Sequence, residues 1–260
     1  MSIIDEFLKQ HPNVRLPSPP AIAISILDET NKTEPCFSRL GEIIGSDPGL
    51  TTRVLQIANS PIIAPLTPLD NLDKALARMG LTLATNIALS FALIENFRLK
   101  PTHNFDFDYF WRRALTAAAS ANIISTTTKH HNDNIFISSL LQDISILGVY
   151  IACAENHEKE QPHINKISSL VEDYTGYSHA HFSTEILEQW GVPKSITQPI
   201  RFHHQPESAP KNYKNQARII NLASKLSALL NNNHKVKKTE QLQSERTVRK
   251  KYHPNTARSQ

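Results

Sequence analysis

Five residues at three places in the chain carry the chemistry that it could perform. Gln142 and Asp143 interrupt a long apolar run, His179 opens a later helical stretch, and His203 and His204 close the next one. A charged carboxylate is costly to bury without a partner. We therefore expect Asp143 to cap a neighbouring helix or to pair with a histidine, and metal binding is the alternative interpretation.

A metal site here would need ligands that converge from several helices. Adjacent residues on a regular helix point about 100° apart, so only one of His203 and His204 is expected to face an ion. Cys36 and Cys153 are the only cysteines, and neither has a second cysteine at metal-ligand spacing. The chain also lacks a nucleophile elbow, a P-loop and a dinucleotide-binding glycine motif. We expect no catalytic set, no cofactor and no bound metal.

The elements that must position these side chains are predicted to be helices. The chain has 7 glycines and no hairpin turn signal between alternating apolar runs, which favours an all-α fold. The predicted helices cover residues 21–30, 37–44, 48–58, 72–79, 81–97, a long stretch from 109, 135–151, 164–174, 178–190, 194–203 and 213–230. The helix over 81–97 is apolar nearly all round and is expected to be buried where two lobes meet.

Several helix ends are marked by capping residues. Asp47 is typical of an N-cap and Pro48 of a first helical position, where the missing N–H has no partner to lose. Asp70 or Asn71 is expected to cap the helix that follows. Gly80 is expected to end that helix in a left-handed conformation.

The charge of the chain is concentrated near its end. The formal net charge is +4, and residues 232–260 carry eight lysines and arginines against two glutamates. We interpret this segment as a disordered basic tail, with nucleic-acid binding as the alternative. The sequence shows no signal peptide and no membrane span, and the two isolated cysteines suit a reducing compartment, so we expect a cytoplasmic location.

The order and spacing of these motifs resemble the HD-related output domain (HDOD) family of bacterial signalling proteins. The resemblance covers residues 10–230. In the first part it rests on residues 16–20, 43–51, 55–60 and 75–80, which include Asp47, Pro48, Asn59, Ser60 and Gly80. In the second part it rests on Trp111, residues 139–144 and 176–180, Trp190 to Pro193, and His203 with His204.

The resemblance implies a two-lobed helical domain over residues 1–231. The first lobe would cover about residues 1–101 and an HD-like lobe about residues 102–231. The basic tail, residues 232–260, lies outside the resemblance.

The resemblance also implies a degenerate metal site. HD phosphohydrolases bind metal through a histidine, a His-Asp pair, further histidines and a last aspartate, and three of these positions fall on Arg113, Gln142 and Ser224. The positions that keep a ligand are Asp143, His179 and one of His203 and His204. A guanidinium cannot coordinate a cation, so Arg113 is expected to take the place of the metal and to pair with Asp143.

Three functions follow as hypotheses. The leading one is a non-catalytic regulatory module that binds signalling proteins or a small anion, the anion lying near Arg98, Arg112 and Arg113. The second is a phosphohydrolase that acts on nucleotides or cyclic dinucleotides through a metal-bound water. The third is nucleic-acid binding through the basic tail.

Overall fold

The computed structural model describes residues 2–231, apart from residues 13, 15, 17, 31, 61–66, 97–104, 129, 131, 133 and 156–166. Across these described residues the chain forms helices and no strand, which confirms the all-α prediction. The helices are α1 (Ile3–Gln10), α2 (Ala21–Thr30), α3 (Phe37–Gly45), α4 (Pro48–Ala58), α5 (Leu72–Met79), α6 (Leu81–Asn96), α7 (Phe107–Thr127), α8 (Ile135–Leu141), α9 (Ile144–Glu155), α10 (Ile167–Thr175), α11 (His179–Gln189), α12 (Lys194–Arg201) and α13 (residues 214–231).

The predicted caps organise the helices α2 to α6. We call these helices the first lobe, and α1 with the helices from α7 onwards the second lobe. The side chain of Asp47 accepts a hydrogen bond from the amide of Leu50 at 3.0 Å, and Pro48 is the first residue of α4. Asn71, one of the two candidates for that cap, accepts hydrogen bonds from two amides of the first turn of α5. Gly80 ends α5 with a φ of 78°, which favours glycine, and the chain turns there into α6.

Helix α6 is buried, as its composition predicts. Ala84, Ala88 and Leu89 are among its fully or almost fully buried residues. The helix contacts α2, α3, α4 and α5, and it also contacts α8. It therefore joins the first lobe to the helices that carry the polar residues of interest.

The second lobe is built on close contact between α7 and α8. The buried side of α7 is lined with alanines, which let α8 approach its backbone. Helix α8 also contacts α12, and α9 contacts both α10 and α11. Ile220 of α13 packs with Ala121 and Ile135 in a second, smaller apolar cluster.

The prediction of one central helix over residues 135–151 is wrong. Helix α8 ends at Leu141 and α9 begins at Ile144, with Gln142 and Asp143 in the turn between them. The amide of Ser145 donates to the hydroxyl oxygen of Ser183 in α11 at 3.1 Å. This hydrogen bond to another helix marks the point at which the regular helical pattern is interrupted.

Helix α1 packs against α11 of the second lobe, although it opens the chain. The ring of Phe7 meets the ring of Phe182 edge-on, with centroids 5.4 Å apart. Ser2 donates to Glu185, and Tyr177 donates to Glu6. The predicted lobe boundary near residue 101 and the tail, residues 232–260, lie outside the described residues, so the division of the chain stays a prediction.

One stretch of the described residues, Ile135–Ala152, is long and apolar enough to cross a membrane. Of that stretch, 94% is buried inside the protein, as in the core of a helical domain. Helices α5 and α6 pass the same test together only across a bend of 116°.

Candidate functional site

Three histidines meet at one end of α11 and α12. His179 is the first residue of α11, which Ser178 caps. His203 and His204 lie in the turn after α12, which ends at Arg201. One ring nitrogen of each histidine lies within 4.8 Å of the corresponding nitrogen of the other two. We call these three residues the histidine cluster.

The prediction that only one of His203 and His204 can face a common point is wrong. It assumed that α12 continues through both residues, whereas the helix ends two residues before His203. Outside a regular helix, adjacent side chains are not held about 100° apart. The two rings lie with centroids 4.0 Å apart, and both contact His179.

His203 is fully buried, and the tautomer it adopts follows from its contacts. Its Nδ1 lies 2.7 Å from the carbonyl oxygen of Ile200, so Nδ1 carries the proton and donates. Its Nε2 therefore presents a lone pair, and it has no hydrogen-bond partner among the described residues. Burial is the main cause that lowers the pKa of His203 to about 4.

Asp143 lies next to the histidine cluster and is 8% exposed. Its Oδ1 is 3.3 Å from Nε2 of His179, and its Oδ2 is 3.9 Å from Nη2 of Arg113. Burial by itself raises the pKa of this carboxyl group. The hydrogen bond and charge of His179, with the charges of Arg113 and His203, outweigh burial and hold the pKa of Asp143 well below its usual range.

The residues present do not fit the metal site of an HD phosphohydrolase. Arg113, to which the resemblance assigns a ligand position, directs its guanidinium to Asp143, and a guanidinium cannot coordinate a cation. Gln142 is 1% exposed, and both of its amide atoms lack a partner among the described residues. Ser224 is buried on α13, where its carbonyl oxygen accepts a hydrogen bond from Ser227. The structure thus brings Arg113 and Asp143 to the histidine cluster and shows no hydrogen bond from Ser224 to it.

Two serines and an asparagine that the sequence did not single out hold the cluster in place. Ser145 donates to the carbonyl oxygen of His179 at 2.9 Å, and Ser183 donates to Ser145 at 2.8 Å. Asn221 of α13 donates to the carbonyl oxygen of His203 at 2.6 Å. Both serines are buried in apolar surroundings, and that pattern is the signal that could have identified them.

Four other residues that carry the family resemblance, Asn59, Ser60, Trp190 and Pro193, lie at helix ends rather than in the histidine cluster. Asn59 follows α4, and its side chain both donates to and accepts from the backbone of Leu69. The hydroxyl of Ser60 is buried without a partner among the described residues. Trp190 follows α11, and Pro193 precedes α12. Their placement indicates structural roles.

A cavity of about 290 Å³ lies where the two lobes meet. It is lined by Leu27, Thr30, Pro35, Leu81, Thr82, Thr85, Asn86, Leu89, Asn134, Ile137 and Ile196, all of them uncharged. Arg112 is exposed above the ring of Tyr109, and Arg113 is directed to Asp143. Arg98 lies outside the described residues. The predicted anion near these three arginines stays a prediction.

The fold and the site together define the class of protein. The described residues form an all-helical domain in which Asp143, Arg113 and three histidines meet. The HDOD domain family model matches residues 16–206. The chain therefore belongs to the HDOD family. A search of curated proteins finds no match.

Solved structures share this fold. An HDOD domain protein of unknown function from Geobacter sulfurreducens has a TM-score of 0.70 and 21% identity, over 87% of this chain and 77% of that one. A protein from Shewanella amazonensis SB2B, provisionally named a metal-dependent phosphohydrolase, has a TM-score of 0.62 and 22% identity, over 83% and 79%. A provisionally named signal transduction protein from Marinobacter aquaeolei VT8 has a TM-score of 0.66 and 21% identity, over 85% and 53%.

Proposed function

We propose that this chain is a non-catalytic regulatory module of bacterial signal transduction, which acts in the cytoplasm by binding a signalling protein or a small ligand. The observation that carries the proposal is the position of Arg113, whose guanidinium lies 3.9 Å from Asp143. A positive charge in that place neutralises Asp143, the one carboxylate that remains at the positions of the HD-type metal site.

The surroundings of Asp143 support the same proposal. Gln142 stands where the histidine of a His-Asp pair would be, and Ser224 stands where the last aspartate would be. Neither residue supplies the imidazole or carboxylate that holds a catalytic metal ion in such sites. Together with Arg113, these residues replace half of the expected metal ligands by side chains that do not supply an imidazole or a carboxylate.

A binding role also has a physical basis in the cavity between the lobes. Its walls come from α2 and α6 on one side and from α8 and α12 on the other. A ligand that filled it would contact both lobes and would favour one arrangement of them over another. Its uncharged lining of threonine, asparagine and apolar side chains suits a small neutral molecule better than an anion.

The experiment that tests the proposal is a phosphate-release assay. The full chain, purified without chelator, is incubated with nucleotides and cyclic dinucleotides in the presence of Mn²⁺. We expect no release above that of a buffer control. Release that is lost in Asp143→Ala would make the chain a phosphohydrolase and overturn the proposal.

Nucleic-acid binding through the tail is tested separately. The full chain and a chain ending at residue 231 are compared for duplex binding at rising salt concentration. Binding that falls steeply with salt and needs residues 232–260 would assign this role to the tail. We expect no difference between the two chains.

A further inference from the structure

We infer that the cavity between the lobes binds a small uncharged molecule that carries a hydrogen-bond donor and an acceptor side by side, as an amide, a lactam or a nucleobase does. This ligand class rests on the proposed function, in which a small molecule acts by holding the two lobes in one arrangement. The chemical class follows from the side chains that line the cavity.

The wall that α6 contributes carries a buried side-chain amide that the protein itself does not satisfy. Asn86 lines the cavity and is 7% exposed. Its backbone carbonyl oxygen accepts a hydrogen bond from Ser90, but its side-chain amide makes none with another described residue. A buried amide without a partner destabilises a folded chain. Its place in a cavity wall therefore indicates a group that a bound molecule satisfies.

The neighbouring residue, Thr85, supplies the second observation. It lines the same cavity, is 8% exposed, and its hydroxyl has no partner among the described residues. A threonine hydroxyl in a helix commonly donates to the carbonyl oxygen four residues earlier. Thr30, which also lines the cavity, does so with Ile26 at 2.9 Å. Rotation about the Cα–Cβ bond of Thr85 exchanges its methyl group with its hydroxyl, so either group can face a bound molecule.

The wall that the second lobe contributes adds another amide. Asn134, which precedes α8, lines the cavity and donates from Nδ2 to the hydroxyl of Ser195 at 3.2 Å. It makes no side-chain capping bond to α8. Ile137 of α8 and Ile196 of α12 are the apolar residues of this wall. A bound molecule would therefore meet an amide from each lobe together with apolar side chains.

The chemistry of the lining selects the class of ligand. All of the lining residues are uncharged, so an anion would be buried there without a counter-charge. A carboxamide presents an N–H donor next to a carbonyl acceptor, and it pairs with a molecule that presents the same two groups in the opposite order, as asparagine does with adenine. The volume of about 290 Å³ is at the lower end of the range for ligand sites, which indicates a ligand the size of one ring system.

The test compares ligands that differ in one group. The full chain is titrated with nicotinamide and with nicotinate, which has the same ring and a carboxylate in place of the amide, and binding is followed by ligand-observed NMR. Uracil, a lactam, is the second neutral probe. We expect nicotinamide and uracil to bind with a Kd of about 1 mM, which fits ligands of this size, and nicotinate to bind at least about tenfold more weakly.

Asn86→Leu keeps nearly the same volume and removes the amide, so we expect it to weaken nicotinamide binding at least about tenfold. Asn122→Leu is the matched control, because Asn122 is exposed on α7 and lies outside the cavity. Both changes bring the same gain in helix propensity. Only Asn86→Leu also removes a buried amide without a partner, so its Tm should rise above that of the control.

Three binding results would overturn this ligand class: no binding of nicotinamide and uracil, equal binding of nicotinamide and nicotinate, or equal weakening in the two variants. A Tm of Asn86→Leu no higher than that of the control would overturn it as well, because the amide would then be satisfied within the protein. These outcomes leave the non-catalytic proposal intact, since that proposal depends on the phosphate-release assay.

Discussion

The two lobes each bury a carboxylate, and they satisfy it in different ways. Glu29, at the end of α2, is 2% exposed and accepts hydrogen bonds from the amide of Cys36 and from Lys32, both within seven residues of it. The partners of Asp143 are Arg113 from α7 and His179 from α11. A carboxylate satisfied by its own neighbours stabilises a turn. One that gathers charged groups from several helices marks a site.

The neighbours of each carboxylate differ as well. Several polar groups near Asp143 are buried without partners among the described residues. They are the side-chain amide of Gln142, Nε of Arg113 and Nε2 of His203. Glu29 itself is paired with two near neighbours, Lys32 and the amide of Cys36. Proteins tolerate unpaired buried groups chiefly where function requires them, so the second lobe gives up stability at its site.

The largest loss of stability is expected when the carboxylate of Asp143 is removed. Asp143→Ala leaves Arg113 without its ion pair and His179 without its acceptor. We expect the free energy of unfolding to fall by about 3 kcal/mol in urea denaturation. Glu42→Ala, which removes an exposed pair with Arg39, is the control and should cost less than about 0.5 kcal/mol. Equal losses in the two variants would contradict the contrast.

The next largest effect is expected at low pH, which should destabilise the second lobe through His203. The folded pKa of His203 is about 4, below the unfolded value near 6.5, so the unfolded chain takes up this proton first as the pH falls. The free energy of unfolding should therefore begin to fall below about pH 6.5. The loss should level off near pH 4, at about 3 kcal/mol. The pKa of Asp143 is also lowered, and its stabilising contribution is lost at still lower pH.

This pH dependence can be assigned by comparing the wild type with His203→Gln. Unfolding free energies measured from pH 7 to pH 4 should decline less steeply in the variant. If the variant keeps the full slope, His203 is not the group responsible, and His204 and His181, whose pKa values burial also lowers, become the candidates.

Removing the carboxylate of the first lobe should have a smaller effect. Glu29→Ala removes the acceptor for the amide of Cys36 and the ion pair with the exposed Lys32. We expect a loss of about 1.5 kcal/mol in the same urea experiment. A loss as large as that of Asp143→Ala would show that the two carboxylates are equivalent.

The smallest expected change in the free energy of unfolding is an increase, and it comes from replacing Gln142. Gln142→Met keeps nearly the same volume and removes a buried amide that has no partner. We expect the midpoint of urea unfolding to rise, with a gain of about 1 kcal/mol. A loss of stability instead would mean that the amide of Gln142 makes a stabilising contact.

What the sequence predicts well in this chain is local. Asp47, Pro48 and Gly80 act through their own backbone and the next few residues, so their roles follow from their types and positions. Asp143 stands out as a charge in an apolar run, but its pairing with Arg113 could be predicted only through the resemblance to a family, because the two residues are 30 positions apart in the chain.

What the sequence did not predict depends on contacts between helices. The turn at Gln142 and Asp143 lies inside an apolar run, with no glycine or proline at the turn itself. The hydroxyl that accepts a hydrogen bond from the amide of Ser145 belongs to Ser183 of α11. The end of α12 at Arg201 was also missed, although Pro199 lies in its last turn. For that reason the sequence did not predict that both His203 and His204 face His179.

The packing of α1 on α11 has a consequence for how the chain comes apart. Helix α1, which precedes the segment from α2 to α6, and helix α7, which follows it, both belong to the second lobe. The segment from α2 to α6 is therefore an insertion whose two ends are held by the second lobe. Loss of structure in the first lobe therefore opens a long loop without releasing Phe7 from Phe182. A backbone cut between α2 and α3 would leave two pieces that stay associated through this contact.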